Sequence, residues 1–345
     1  MKIKANIIII ISITIITILS CKGQKPKNNE ESHKIEYLNP KIVTFYDSIY
    51  TSLPGKILVT NDYVSWTEPN SAENFLHIIN RCNAKEVAAV GSIGSGPYDF
   101  STPFIEKGLG NEIVIYDMDQ NKKALIQIDS LDNTSNKGII YKKTVSIKEP
   151  FRFCKLSKDN EMVFSATMSS PFGIIDGKHI YYSGKFPIES SEISERSKFN
   201  RFQGVTAYNP VNEMLLYSTY SFKYMALYKR EGVRWNLIKE TKVPDYTIKN
   251  GNIKFKKKGI GVSEVTMTKN YIVTAEYEDK NVTEKDLRQN NYILPKILCF
   301  YDYDLTLRKV LEIGKPIMRI GGNTDSDTIF AIIENPDFEI VSISY

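Results

Sequence analysis

The sequence predicts an all-β chain folded as a six-bladed β-propeller closed by an N-terminal strand. Short runs rich in β-branched and aromatic residues alternate with turn-rich breaks, and no segment reads as a convincing amphipathic helix. Two runs, EIVIYDMDQNKKALIQI (112–128) and KILCFYDYDLTLRKVLEIG (296–314), share the order apolar run, Tyr-Asp, turn, apolar run. This is a weak internal repeat. From about Ile35 onward, six units average roughly 52 residues, near the length of propeller blades.

The remaining strand-like runs are ILVTNDYVSW (57–66), FRFCKLSKDNEMVFSA (151–166), HIYYSGKF (179–186), MLLYSTYSFKYMALYKR (214–230), YIVTAEYED (271–279) and TIFAIIENPDFEIVSISY (328–345). They divide into blades at about 55–90, 101–147, 150–190, 201–245, 262–314 and 317–345. The last has room for about three strands where a blade needs four. KIVTFY (41–46) is expected to supply the fourth, burying Ile42 and Phe45 and leaving no sheet edge open. The alternative is a β-sandwich or two tandem all-β domains.

Lys2 and Lys4 precede an apolar run from Ile7 to Leu19 that is too short for a permanent membrane span. Residues 1–20 read as an export signal. Ile18-Leu19-Ser20-Cys21 resembles the lipobox of bacterial lipoproteins, which implies that Cys21 carries lipid and anchors the chain to a membrane. Residues 21–34 are polar and read as a disordered lipidated tether, and 35–345 as the propeller. Lys22 after the cysteine favours the outer membrane of the cell envelope, with its leaflet left open. Without the leader, 325 residues remain and the formal charge falls from +5 to +3. A near-neutral chain without a stripe of basic and aromatic residues is not expected to bind nucleic acid. It is expected to be a monomer.

Within VAAVGSIGSGPYDFSTP (87–103), Gly91, Gly94, Gly96, Pro97, Phe100 and Pro103 resemble the linker of NHL-like six-bladed propellers, especially the TolB-like propeller lipoproteins of Bacteroidetes. GVTAYNPVNEMLLYSTYSF (204–222) is similar to the family's middle Asn-Pro strand, and residues 296–345 to its last two blades. The resemblance implies that the glycines adopt positive φ between blades and that the aromatic packs under the next blade. Tyr98-Asp99 departs from it, since many relatives carry a small residue and glutamate there.

Residues suited to chemistry are sparse. The glycines are not followed by Gly-Lys-Ser/Thr, so a phosphate cradle is disfavoured. Asp117, Asp119 and Asn121 have the spacing of a calcium loop, but Lys122 and Ile128 stand where glycine and glutamate belong, so a hairpin turn is expected. Asp302 and Asp304 carry still less. The three histidines, His33, His77 and His179, have no partner at metal-ligand spacing and read as locally bonded strand or loop residues. Cys82, Cys154 and Cys299 follow no disulfide pattern and are expected to be buried. KNGNIKFKKKGIG (249–261), with Lys254, Lys256, Lys257 and Lys258 around Phe255, reads as a solvated basic loop. No catalytic residue, metal or cofactor is assigned.

The favoured function is a membrane-anchored, non-enzymatic propeller that binds a protein, peptide or glycan. The alternative is a hydrolase or lyase working at a channel mouth, which two carboxylates or a histidine cluster converging there would favour. For the anchor, Cys21→Ser is expected to abolish metabolic labelling with palmitate and to release the protein from membranes. Continued labelling would exclude Cys21 as the lipid site.

Overall fold

The computed structural model describes residues 34–71, 73–131, 138–143, 152–256, 260–277 and 294–345. Cys21, expected to carry lipid, the segments expected to be leader and tether up to residue 33 with His33, and Lys257 and Lys258 lie outside these.

Two N-terminal strands, β1 (Glu36–Leu38) and β2 (Lys41–Ile49), precede the first blade. Blade 1 is β3 (Ile57–Val59), β4 (Tyr63–Thr67), β5 (Asn74–Asn80) and β6 (Glu86–Ser92). Blade 2 is β7 (Pro103–Lys107), β8 (Glu112–Asp117), β9 (Lys122–Gln127) and β10 (Ile139–Lys143). Blade 3 is β11 (Arg152–Lys155), β12 (Asn160–Phe164), β13 (Phe172–Asp176) and β14 (His179–Ser183). Blade 4 is β15 (Gly204–Asn209), β16 (Met214–Thr219), β17 (Met225–Glu231) and β18 (Arg234–Glu240). A two-stranded hairpin follows, β19 (Tyr246–Lys249) and β20 (Asn252–Phe255). Blade 5 is β21 (Glu264–Met267), β22 (Ile272–Glu276), β23 (Ile297–Tyr301) and β24 (Leu307–Glu312). Blade 6 is β25 (Ile317–Gly322), β26 (Ile329–Glu334), β27 (Phe338–Ser344) and, as its outermost strand, β2. The described strands thus make six antiparallel blades in a closed propeller, and the sandwich and tandem-domain alternatives fall away.

The second strand of each blade explains why the sequence looks as it does. In β26, Ile329, Ala331 and Ile333 pack toward blade 5 while Phe330 and Ile332 pack toward blade 1. In β16, Leu215 and Tyr217 face blade 3 and Leu216 faces blade 5. In β8, Ile113 and Ile115 face blade 1 while Val114 and Tyr116 face blade 3, with the Tyr116 ring stacked 4.0 Å from Phe153. A strand buried on both faces has no polar side to alternate with, so it reads as a continuous apolar run.

Ring closure follows the strand count. β2 pairs antiparallel with β27, from Lys41 opposite Ser344 to Ile49 opposite Phe338, with register shifts around Tyr46. Ile49 is buried, and Phe45 meets Phe330 edge-on at 5.0 Å. The Tyr46 hydroxyl donates to Glu86 Oε2 at 2.9 Å, tying blade 6 to blade 1, and burial beside Glu86 pushes its pKa up to about 12. Ile42, expected to be buried, is 37% exposed because an outermost strand turns one face to water. β1 adds a feature the run pattern did not reveal: it pairs in parallel with β24, and Leu38 packs onto the core between blades 5 and 6.

Other expectations need correction. A helix, α1 (Glu195–Phe202), is present: Ser194 caps it by accepting from the Ser197 amide at 3.2 Å, and Phe202 is buried against Phe186. The basic segment begins as the β19–β20 hairpin, because Asn250-Gly251, at φ 49° and 75°, supplies the left-handed pair a two-residue turn needs. Phe255 packs on Phe222 at 4.5 Å, while Lys254 and Lys256 stay exposed. Cys299 is buried and Cys154 partly so, but Cys82 is exposed in the turn after β5.

A protein beginning at residue 40 keeps β2 and is expected to melt within a few degrees of the full chain. One beginning at residue 51 loses the Ile49 and Phe45 contacts, at about 1.5–3 kcal/mol for each fully buried side chain, together with a whole ladder. It is expected to melt about 10 °C lower or to aggregate. Equal melting temperatures would contradict closure by β2.

Candidate functional site

A cavity of about 770 Å³ opens at the mouth of the channel where the innermost strands begin, here the leading mouth. Ionisable side chains from five described blades line it, each on or beside its blade's first strand: Lys56, Glu106, Arg152, Glu264 and Arg319. Blade 4 places no residue of its first strand β15 in the lining, and Tyr220 from the turn beyond β16 lines the cavity instead. Around the ring the charges run positive, negative, positive, none, negative, positive.

The groups hold one another. Lys56 Nζ lies 2.6 Å from Glu106 Oε2, and Arg319 Nη1 lies 3.4 Å from Glu264 Oε1. Arg319 also donates to the carbonyls of Gly55 (3.2 Å) and Met318 (2.8 Å), which fixes its guanidinium across the blade 6 to blade 1 junction. Arg152 donates through Nε to the Gly204 carbonyl at 3.2 Å and through Nη2 to the Tyr220 hydroxyl. Burial pushes the Glu264 carboxyl up, against the pull of Arg319, Arg152 and Lys56, although 23% of its side chain still faces the channel. Burial likewise raises the Tyr220 and Tyr277 hydroxyls. Phe104, 41% exposed, adds an apolar wall. The arrangement is a cup that offers both signs of charge, phenol groups and an aromatic face.

The residues singled out in the sequence lie elsewhere and serve structure. Gly91 has φ +82°, and a Cβ there would sit 2.5 Å from the Phe75 ring. Gly94 and Gly96 are needed for a different reason than positive φ: a Cβ on either would sit 2.6 Å from the Asp99 carboxylate. Asp99 accepts from the Ser92 hydroxyl at 2.6 Å and the Gly96 amide at 2.9 Å, so the departure at this position leaves the loop held. Phe100 is buried against Phe75 between blades 1 and 2. The hairpin of blade 2 grips the same linker. Asp117 accepts from the Ser101 and Gln120 amides, Asp119 accepts from the Thr102 hydroxyl at 2.6 Å, and Asn121 takes φ 49° in the turn. That explains the calcium-like spacing without a metal. Asp302 likewise accepts from Arg308 within its own hairpin.

His77, read from the sequence as a locally bonded strand residue, stacks on Trp66 at 4.4 Å with Glu86 at 3.4 Å and Glu68 at 3.8 Å. It stands at the closing seam, since Glu86 also accepts from Tyr46. His179 is exposed on the outermost strand of blade 3. Neither lines the mouth. Among the described residues, no group of three or more His, Cys, Asp or Glu is placed to hold a metal.

The five charged residues were missed because they are scattered over some 260 positions with no local motif. Their shared signal is positional: an ionisable residue beside or within the first strand of a blade. Aligning the blades to one another would reveal it.

The Ser92 hydroxyl and the Gly96 amide hold the Asp99 carboxyl below its ordinary value of 3.8. Its contribution to stability is therefore present above that pH and lost as the pH falls through the lowered folded value. Asp99→Ala is expected to lower the melting temperature at pH 7 and to flatten its acid decline below about pH 4. An unchanged acid limb in the melting profile would contradict this role.

No protein-family model matches the chain, and no curated protein does. Among solved structures, a member of the DUF4221 family from Bacteroides vulgatus is similar at 8% identity over 90% of this chain and 98% of that one, with a TM-score of 0.55. A putative exported protein from Bacteroides fragilis is similar at 13% identity over 88% and 94%, with a TM-score of 0.51. A luciferin-regenerating enzyme is similar at 9% identity over 89% and 96%, with a TM-score of 0.50. At such identities the likeness is one of fold alone, and that fold is the β-propeller.

Proposed function

We propose that the chain is an exported, lipid-anchored binding protein of the TolB-like propeller kind, held at the outer membrane through Cys21, whose leading channel mouth receives a peptide, protein segment or glycan. The observation that carries the reading is the convergence of Lys56, Glu106, Arg152, Glu264 and Arg319 on one cavity. Its volume suits a few sugar or amino-acid residues, and its mixed charges suit a polar ligand whose own groups are exchanged for these ion pairs. Export agrees with the leader and with the description of the Bacteroides fragilis neighbour as a putative exported protein.

A second reading, hydrolase or lyase, draws on the two carboxylates that meet the criterion set by the sequence. Glu264, with its raised carboxyl, is the natural proton donor. Binding is favoured because Glu106 and Glu264 are each neutralised by a cation, and no histidine lines the cavity among the described residues.

Both readings are separable on an array of envelope glycans and peptides. A ligand retained by the wild type is expected to bind at least about tenfold more weakly to Arg319→Ala, the scale of a lost charge-assisted hydrogen bond, and to be recovered intact. Recovery of a cleaved product, with cleavage lost in Glu264→Gln, would replace the binding reading with the enzyme.

A further inference from the structure

The channel continues from the charged cup toward the ends of the innermost strands, the trailing mouth, through a cavity of about 130 Å³. One water needs about 10–15 Å³ by this measure, so the space takes about ten waters or a small organic acid. Three lysines line it. Lys56 is paired with Glu106, and Lys155 lies 3.1 Å from Glu161, a carboxylate that Lys123 also engages. Lys107, the last residue of β7, differs. Its ammonium donates to the Asn323 side-chain oxygen, and no carboxylate lies within ion-pair distance of it among the described residues. The nearest acid to influence it, Asp325, is already engaged by Arg81 at 2.8 Å.

Asn323 is 2% exposed and is itself held: its amide donates to the Thr60 carbonyl at 3.2 Å and to Asn61 at 3.3 Å, and its oxygen also accepts from the Thr324 amide. The acceptor facing Lys107 is therefore fixed in place, but it is neutral. A withdrawn ammonium with three donors and one neutral acceptor is electrostatically incomplete, because burial disfavours the charged form unless an anion or several acceptors compensate. Burial, with Arg81 adding to it and Asp325 opposing, pushes the Lys107 pKa down to about 8.

We propose that the trailing end of the channel is a carboxylate-binding site, in which a compact monoanionic acid completes the coordination of the Lys107 ammonium. A monoanion is selected over a phosphate-like dianion, since Lys107 is the one lysine lining the cavity that has no carboxylate within ion-pair distance among the described residues, while Glu106 and Glu264 line the same space and repel a second negative charge. Thr206, Thr266 and Thr324 line the same space and supply neutral hydroxyl donors for the second carboxylate oxygen. The site adjoins the peptide or glycan cup and shares Lys56, Glu106 and Glu264 with it, but Arg152 and Arg319 line only the cup, and Lys107 and Asn323 line only the inner cavity.

The probe is propionate, whose own charge is constant above pH 6.5, titrated into the full-length protein at fixed ionic strength with chloride as control and followed by the ¹⁵Nζ and side-chain ¹³C signals of labelled lysines. The expected result is saturable binding with a shift of the Lys107 signal. Affinity should be about thirtyfold weaker at pH 9.5 than at pH 7, because only the protonated amine binds and it titrates near 8. Lys107→Met, checked for an intact melting transition, should lose saturable binding. Lys107→Arg should keep it and remove the pH dependence. Absence of saturable binding to the wild type, a pH-independent affinity, or binding that survives Lys107→Met but is lost in Arg319→Ala would each overturn the proposal.

Discussion

Everything in this molecule depends on each blade being buried on both faces. Strand β26 sends Ile329, Ala331 and Ile333 one way and Phe330 and Ile332 the other, so neither side of blade 6 can face water without exposing a core. The same holds at β8 and β16. A row of such sheets has two raw ends, and bending it into a ring is the arrangement that buries both. The ring then has to be latched. β2 does this by completing blade 6 from the opposite end of the chain, with Tyr46 reaching Glu86 of blade 1 and β1 adding a second tie to blade 5. Contacts of such sequence separation make slow folding the expectation for this topology.

Closure also creates the site. The inner strands converge on an axis and leave a channel, and residues on or beside them line its mouth together. Placing Lys56, Glu106, Arg152, Glu264 and Arg319 there costs desolvation, which the ion pairs and backbone acceptors offset. Apolar residues at these positions would be cheaper for folding, which is why these charges carry the proposed binding role. Rigidity is the gain: Arg319 is fixed by Gly55 and Met318 before any ligand arrives. The fold itself is neutral on chemistry, as propellers host both binders and enzymes.

The blades were legible because their second strands read as unbroken apolar runs, and the latch because blade 6 came up one strand short. β1 was not, since a three-residue edge strand carries no periodicity. The β19–β20 hairpin was marked by Asn250-Gly251, but the lysines around Phe255 drew the segment toward a solvated loop. The glycine linker was visible as a motif, whereas its dependence on the Asp99 carboxylate needed coordinates. Least legible was the site. Its members are brought together only by the ring, one from each of five blades, and no window of sequence contains two of them beside each other.

Hydrogen exchange of the native protein, read on the peptide spanning Lys41–Ile49 against that spanning Ile329–Glu334, tests the latch most directly. If ring closure holds the whole fold, the amides of β2 paired to β27 exchange through the same global opening as those of β26, with matching protection that falls together as denaturant is added. Rapid exchange of Lys41–Ile49 while Ile329–Glu334 stays protected would show a propeller that stands without its latch, and would contradict the account.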